Sequence, residues 1–308
     1  MTLLVLLGAT GIGKTDLSIN LAKYFGTEIV SADSRQIYKE LDIGTAPPSP
    51  KQLSEVKHHF VKSRSIFDEY NAGMYETDAL ETISKLFETN DYVWFVGGSG
   101  LYIDAVCKGI DDIPSADVEL RTNIVKRYRE EGIESLRFEL MRLDPEIYST
   151  LDIRNPQRVM RALEICISSG KPYSSLRKNF EKSRHFNIIK IGLTIDRHLL
   201  YDRINKRVDN MMSAGLEKEA RGLYRFKELN ALKTVGYREL FDYFDGKTSL
   251  EQSIDLIKRN TRRYAKRQIT WFARYPEIKW FHPDNFNEII EEVKKNLYLN
   301  IFNLNLFI

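Results

Sequence analysis

The feature that most narrows what this chain can fold into is Gly8-Ala9-Thr10-Gly11-Ile12-Gly13-Lys14-Thr15, directly behind the aliphatic run Leu3-Leu4-Val5-Leu6-Leu7. The run is apolar at every position, as expected of a parallel strand covered on both faces. Behind it, Gly8, Gly13, Lys14 and Thr15 satisfy the spacing G-x-x-x-x-G-K-[ST]. Leu17, Leu21, Ala22 and Phe25 then recur at helical intervals. Strand, glycine loop and helix together predict an α/β core. In such a unit the loop from Gly8 to Thr15 turns its backbone N–H groups toward phosphate oxygens, and the helix starting near Lys14 adds its positive dipole end. Lys14 is expected to neutralise the outer phosphate, and the Thr15 hydroxyl is placed to ligate Mg²⁺.

The rest of the composition narrows the class without naming a chemistry. At 308 residues the chain fits one large α/β domain or a core carrying a smaller insertion. Lys and Arg total 46 against 43 Asp and Glu, so a surface for a polyanion must come from local clustering. Cys107 and Cys166 are the only cysteines, which excludes a disulfide scaffold and a cysteine-based zinc site; both read as buried small hydrophobes. Met1 to Leu7 lacks a basic leader and reads as a buried strand, not a signal peptide. No apolar stretch approaches the roughly 20 residues that span a bilayer. The expectation is a soluble, reduced, cytoplasmic α/β protein with no membrane partner.

The next strand-like segment, Glu28-Ile29-Val30-Ser31-Ala32, ends at Asp33-Ser34-Arg35-Gln36. Asp33 thus stands at the carboxyl end of a parallel strand, where α/β sheets build their sites. It could ligate Mg²⁺, accept a proton, or cap a following short helix. Arg203 and Arg207 share a helix face at i, i+4, a spacing that a solvated face would also show.

Several motifs follow one another in order: Gly8 to Thr15, Ser31 to Tyr38, Leu41-Asp42-Ile43-Gly44-Thr45-Ala46, Val96-Gly97-Gly98-Ser99-Gly100-Leu101-Tyr102, Pro114 to Asp117, Asn155 to Glu164, Val235-Gly236-Tyr237-Arg238 and Ala265 to Phe272. Together they resemble the tRNA dimethylallyltransferases, also called tRNA isopentenyltransferases, over essentially the whole chain to about Trp280. The resemblance implies a P-loop NTPase-like parallel-sheet core with an inserted all-helical domain. It implies transfer of a dimethylallyl group from its diphosphate to N6 of the adenosine 3′ to the anticodon, in tRNAs reading codons that begin with U. On that resemblance the Gly8–Thr15 loop holds the diphosphate of an isoprenoid donor, Asp33 matches the general base, and Arg207 matches the leaving-group arginine. Ser99 takes a position that is often Thr and keeps its hydroxyl. Ala9 stands where Pro is usual, and Pro47 where Lys is common, so one phosphate contact is missing.

The same resemblance assigns tRNA contacts to Asp33, Ser34, Arg35, Gln36 and Ser99, to Arg121, Gln157, Arg158 and Arg161, to Lys233, Gly236, Tyr237 and Arg238, and to Lys266, Arg267, Gln268 and Trp271. Gln36 could read a base edge through its amide. One part of this has support from the residues alone. From Leu256 to Pro276 there are seven basic residues and no acidic one, and Arg259, Arg263 and Arg267 recur at i, i+4. Such stripes track phosphates while aromatics stack on splayed bases.

Between Gly109 and about Asn187 strand character disappears, and Asp117 and Asn155 read as helix caps. A helical lobe, 114–187, is expected inside an α/β core of residues 1–113 and 188–308, and is expected to grip the anticodon stem-loop. Strand character returns at Ile188 to Ile195, and a last amphipathic helix is expected from Phe286 to Leu299 with an apolar tail, Ile301 to Ile308. His58-His59 has no third ligand in the sequence pattern and reads as loop or core. The expected partners are the tRNA anticodon stem-loop and dimethylallyl diphosphate, with Mg²⁺ as cofactor and a monomeric enzyme. Competing readings are a small-molecule kinase using ATP, a prenyltransferase acting on free adenine nucleotides, and a non-catalytic RNA-binding nucleotide switch.

Overall fold

The computed structural model describes every residue except 112, 114–116, 178–180 and 306–308. Three of the four residues of the Pro114–Asp117 motif and the end of the apolar tail therefore lie outside the described residues. The chain divides into two compact units, Met1–Cys107 with Arg184–Ile308, and Lys108–Ser183. The helical segment thus begins and ends earlier than the 114–187 expected. Lys182 N–H donates to the Lys108 carbonyl at 2.7 Å, tying the two ends of the excursion together, while Arg184 is already bound to Glu76 at 2.8 Å and to the carbonyls of Ala105 and Val106.

In the first unit, β1 (Thr2–Gly8) is followed by α1 (Lys14–Phe25), β2 (Ile29–Ala32), α2 (Pro50–Glu55), β3 (His58–His59), α3 (Ala72–Phe87), β4 (Tyr92–Gly97) and α4 (Gly100–Lys108). The second unit holds α5 (Val118–Glu131), α6 (Ile133–Leu143), α7 (Pro145–Thr150), α8 (Pro156–Ser169) and α9 (Tyr173–Leu176). The first unit then resumes with β5 (Asn187–Leu193), α10 (Arg197–Ser213), α11 (Leu216–Leu223), α12 (Tyr237–Phe244), α13 (Leu250–Phe272), β6 (Lys279–Phe281) and α14 (Phe286–Asn305).

The six strands form one parallel sheet in the order β3-β2-β4-β1-β5-β6. Every residue of β1 is buried, which explains its unbroken apolar run. Leu3, Val5 and Leu7 face one core, whereas Leu4 and Leu6 face the other. Burying one such side chain contributes roughly 1.5–3 kcal/mol, so this strand anchors both layers. Gly97 pairs with Leu7 on one side and with Ala32 on the other. The carboxyl ends of β1, β2 and β4 therefore meet, and the loops carrying Gly8–Thr15, Asp33 and Ser99 leave the sheet side by side.

The helical unit has its own core, in which Ile124, Leu136, Leu140, Val159 and Leu163 are fully or almost fully buried. Asp117 and Asn155 cap α5 and α8 by accepting from Glu119 N–H and Gln157 N–H, as their positions suggested. No helix among the described residues is long and apolar enough to cross a membrane.

Candidate active site

A cavity of about 450 Å³ opens at those strand ends within the first unit. Its walls carry Lys14, Arg203, Lys206 and Arg207 against Asp16 and Asp33, so cations outnumber carboxylates. The phosphate loop forms one side through Thr10, Gly11, Gly13, Lys14 and Thr15, with Ala46, Pro47, Pro48, Gln52 and His58 lining the remainder along with Ile29, Ser31 and Val96. Gly13 caps α1 with φ of 105°, a left-handed conformation that a side chain would strain. Ala9 and Ile12 point away from solvent into the core, holding the loop down on the sheet.

Lys14 is half-buried, and its Nζ donates to the carbonyls of Gly8 at 3.0 Å and Ala9 at 2.9 Å. Burial pushes its pKa down to about 8, with Asp33 opposing the fall and Arg207 adding to it. The Arg207 guanidinium is likewise held below its ordinary value by burial, against the pull of Asp33. Arg207 donates to the Thr45 carbonyl at 3.2 Å and Arg203 to the Ile12 carbonyl at 3.2 Å. The i, i+4 pair thus straddles the cavity, one member tied to the 41–46 turn and the other to the phosphate loop.

Asp33 follows β2 directly, but no helix follows it. Its Oδ1 accepts from Arg35 N–H at 2.9 Å and Gln36 N–H at 3.2 Å, closing a turn. Among the described residues its Oδ2 takes no protein hydrogen bond, so the carboxylate both caps a turn and retains an oxygen for a substrate proton. Ser99 is buried beside it: Oγ accepts from Ser34 N–H at 2.9 Å and donates to Ser34 Oγ at 3.1 Å. Gln36 donates through Nε2 to the carbonyls of Thr45 at 3.2 Å and Ala46 at 3.0 Å, and Arg35 to those of Asn230 at 3.0 Å and Ala231 at 3.2 Å. The amide donors of Gln36 are therefore engaged within the protein, where base reading had been expected of them.

Tyr264 was not singled out for the site, and the structure brings it there. Its phenol lies close enough to Ser99 and to the Asp33 carboxylate to feel both; burial, followed by that charge, pushes its pKa up to about 12. The local signal was present in its spacing from Gln268 and Trp271, which puts all three on one face of α13. A second unexpected group is Glu219 of α11. Its carboxylate accepts from the N–H groups of Asp42, Ile43 and Gly44 at 3.2, 2.7 and 3.0 Å, and from Tyr237 O–H at 2.6 Å. Burial first, then the Glu219 charge, drives the Tyr237 pKa far upward. Tyr237 and Gly236 are buried, Tyr237 holding the 41–46 turn through Glu219 and Gly236 donating its N–H to Glu239 at 2.8 Å; Lys233 and Arg238 beside them stay exposed.

On α13, Arg259, Arg263, Lys266 and Arg267 are exposed, whereas Gln268 is buried. Trp271 donates its indole N–H to Asp104 at 3.1 Å and carries Arg274 over its ring at 4.2 Å. In the helical unit Gln157 and Arg158 are exposed, and the buried Glu164 sits 3.7 Å from Arg121 and 3.4 Å from Arg161. This carboxylate, which the sequence pattern did not mark, orients two of the expected RNA-facing arginines. His58 reaches the cavity wall while its Nδ1 meets the Val56 carbonyl at 2.8 Å, and His59 pairs with Glu28 at 2.5 Å. No group of three His, Cys, Asp or Glu among the described residues could hold a metal, and both cysteines are buried. A divalent ion here would rest on the Thr15 hydroxyl and on substrate phosphates, the usual habit of Mg²⁺ at such loops.

Residues 36–275 match the family model described as IPP transferase. The chain belongs to the IPP transferase family. It is 53% identical over 292 residues to tRNA dimethylallyltransferase 1 of Phocaeicola vulgatus, covering 95% of this chain and 97% of that protein. It is 51% identical over 296 residues to tRNA dimethylallyltransferase 1 of Bacteroides fragilis, covering 96% and 98%. The crystal structure of the full-length tRNA isopentenylpyrophosphate transferase of Bacillus halodurans superposes with a TM-score of 0.69 at 35% identity, covering 96% of this chain and 95% of that one. The α/β architecture and parallel sheet expected from the IPP transferase resemblance are those observed.

Proposed function

We propose that this chain transfers a dimethylallyl group from dimethylallyl diphosphate to N6 of the adenosine 3′ to the anticodon, in tRNAs reading codons that begin with U. The observation that carries the reading is Asp33 lining the same cavity as Lys14, Arg207 and the phosphate loop. The relatives' names support the tRNA acceptor.

In the reaction, N6 attacks C1 of the donor, the N6–C1 bond forms as the C1–O bond breaks, and inorganic diphosphate leaves. N6 is a weak nucleophile because its lone pair is delocalised into the ring, and it becomes competent as its proton passes to the Asp33 carboxylate. Charge accumulating on the departing diphosphate meets Lys14, Arg207 and the loop N–H groups, already fixed before reaction. Ser99, held by Ser34, offers its hydroxyl to the donor oxygen. The Thr15 hydroxyl would hold Mg²⁺ together with the diphosphate, and the ion, when bound, would add charge neutralisation there.

The acceptor base must leave the anticodon loop to reach Asp33. The exposed arginines of α13, with Lys266, Lys233 and Arg238, hold the RNA backbone; Arg121, Gln157, Arg158 and Arg161 of the helical unit add further contacts. Ser34 and Arg35 flank the flipped nucleotide. We place the enzyme in the cytoplasm as a monomer.

The test is incubation with dimethylallyl diphosphate and Mg²⁺ in the presence of unmodified tRNA, AMP or ATP. Prenylated tRNA alone is the expected product. Prenylated AMP in its place would support the free-nucleotide enzyme, and phosphate transfer from ATP would support the kinase.

A further inference from the structure

Gln268 occupies the buried side of α13 and is 6% exposed. Its Oε1 accepts the Thr10 N–H at 2.9 Å, and its Nε2 donates to the Gly98 carbonyl at 2.9 Å. One amide therefore spans the phosphate loop behind β1 and the turn behind β4 that carries Ser99. The contact is close: a Cβ on Gly98 would fall 2.4 Å from Nε2, so only glycine lets the amide in. Chemistry fixes the orientation of this amide, because an N–H requires the oxygen and a carbonyl requires the nitrogen. Both partners are main-chain groups, which lets one side chain set the spacing between two loops. The resemblance places Gln268 among the RNA contacts, whereas its two polar atoms face the donor half of the site.

We propose that Gln268 is a positioning residue for the diphosphate donor, holding the phosphate loop at a fixed distance from Ser99, and that it makes no contact with RNA. The inference rests on the proposed prenyl transfer for the identity of the donor, but its central claim concerns diphosphate binding alone. Leaving a buried donor or acceptor unmatched weakens a site roughly five- to a hundredfold.

Two variants separate the roles. Gln268→Glu keeps an oxygen for Thr10 N–H and loses the N–H for Gly98; Gln268→Met keeps the volume and loses both hydrogen bonds. Each is titrated with inorganic diphosphate and, separately, with unmodified tRNA. The expected result is diphosphate affinity reduced about tenfold or more in both variants, with tRNA affinity within twofold of wild type. Under turnover, KM for dimethylallyl diphosphate rises in step while KM for tRNA stays put. Retained tRNA affinity also reports that the variants are folded. Weakened tRNA binding with unchanged diphosphate binding would overturn the proposal and return Gln268 to the RNA surface. Unchanged affinity for both would overturn it as well. Wild-type protein that binds diphosphate but yields no prenylated tRNA would defeat the functional reading and leave this assignment standing.

Discussion

At the scale of single residues, the site depends on groups whose second partner decides their role. Asp33 was readable as a magnesium ligand, a proton acceptor or a cap; its Oδ1 closes a turn on Arg35 and Gln36, and among the described residues its Oδ2 takes no hydrogen bond. Tyr264 lies beside Ser99 and the Asp33 carboxylate, on the face of α13 that also carries Gln268. Tyr264→Phe removes one hydroxyl and keeps the ring. It is expected to lower kcat roughly tenfold at unchanged tRNA affinity, the consequence of losing about 1.4 kcal/mol in the transition state. In a Ser99→Ala background the same change is expected to have little further effect, because neighbouring groups in one site couple. Single-turnover rates for the four proteins of the cycle check this; full additivity of the two losses would contradict it. Such a partner was hidden in the sequence because a tyrosine at helical spacing is more often core than site.

At the scale of elements, the legible parts were those whose signal is local. The strand–loop–helix of β1 and α1 was readable because the apolar run, the glycine spacing and the amphipathic helix lie within one short stretch. The caps Asp117 and Asn155 were readable for the same reason. The short helix expected after Asp33 gave way to a turn, since the carboxylate there closes on Arg35 and Gln36. Long-range partners left no such mark: Glu219 lies in α11, far in sequence from the Asp42–Gly44 N–H groups that it gathers. Glu219→Ala leaves those donors and Tyr237 O–H without their acceptor, and a loss of about 1–3 kcal/mol of stability is expected. Denaturant unfolding measures it, and a midpoint unchanged from wild type would contradict the clamp. The three exposed arginines of α13 make a different prediction. Replacing Arg259, Arg263 and Arg267 by Gln is expected to weaken tRNA binding and to lower the slope of log K against log salt by roughly two. A slope that does not change would remove α13 from the RNA path.

At the scale of the whole molecule, fold class came through because periodicity and loop chemistry agreed across the first unit. The boundaries of the helical unit came through less well, since they are set by the Lys108–Lys182 pairing and by Arg184, contacts that span the excursion. Net charge of only +3 foretold that RNA affinity would have to be local, and the exposed arginines lie along one helix. The strand ends collect the phosphate loop, Asp33 and Ser99 into one place, which no single motif specifies.

The central claim is that Asp33 takes the N6 proton while the cationic cavity holds the departing diphosphate. Its most direct test is the single-turnover rate of prenyl transfer to unmodified tRNA by wild type and by Asp33→Ala, with tRNA affinity measured alongside. The account predicts modified adenosine from wild type and a rate lower by at least roughly 10²–10⁴-fold in the variant, with tRNA still bound. A variant that transfers the prenyl group within a few-fold of the wild-type rate would contradict it.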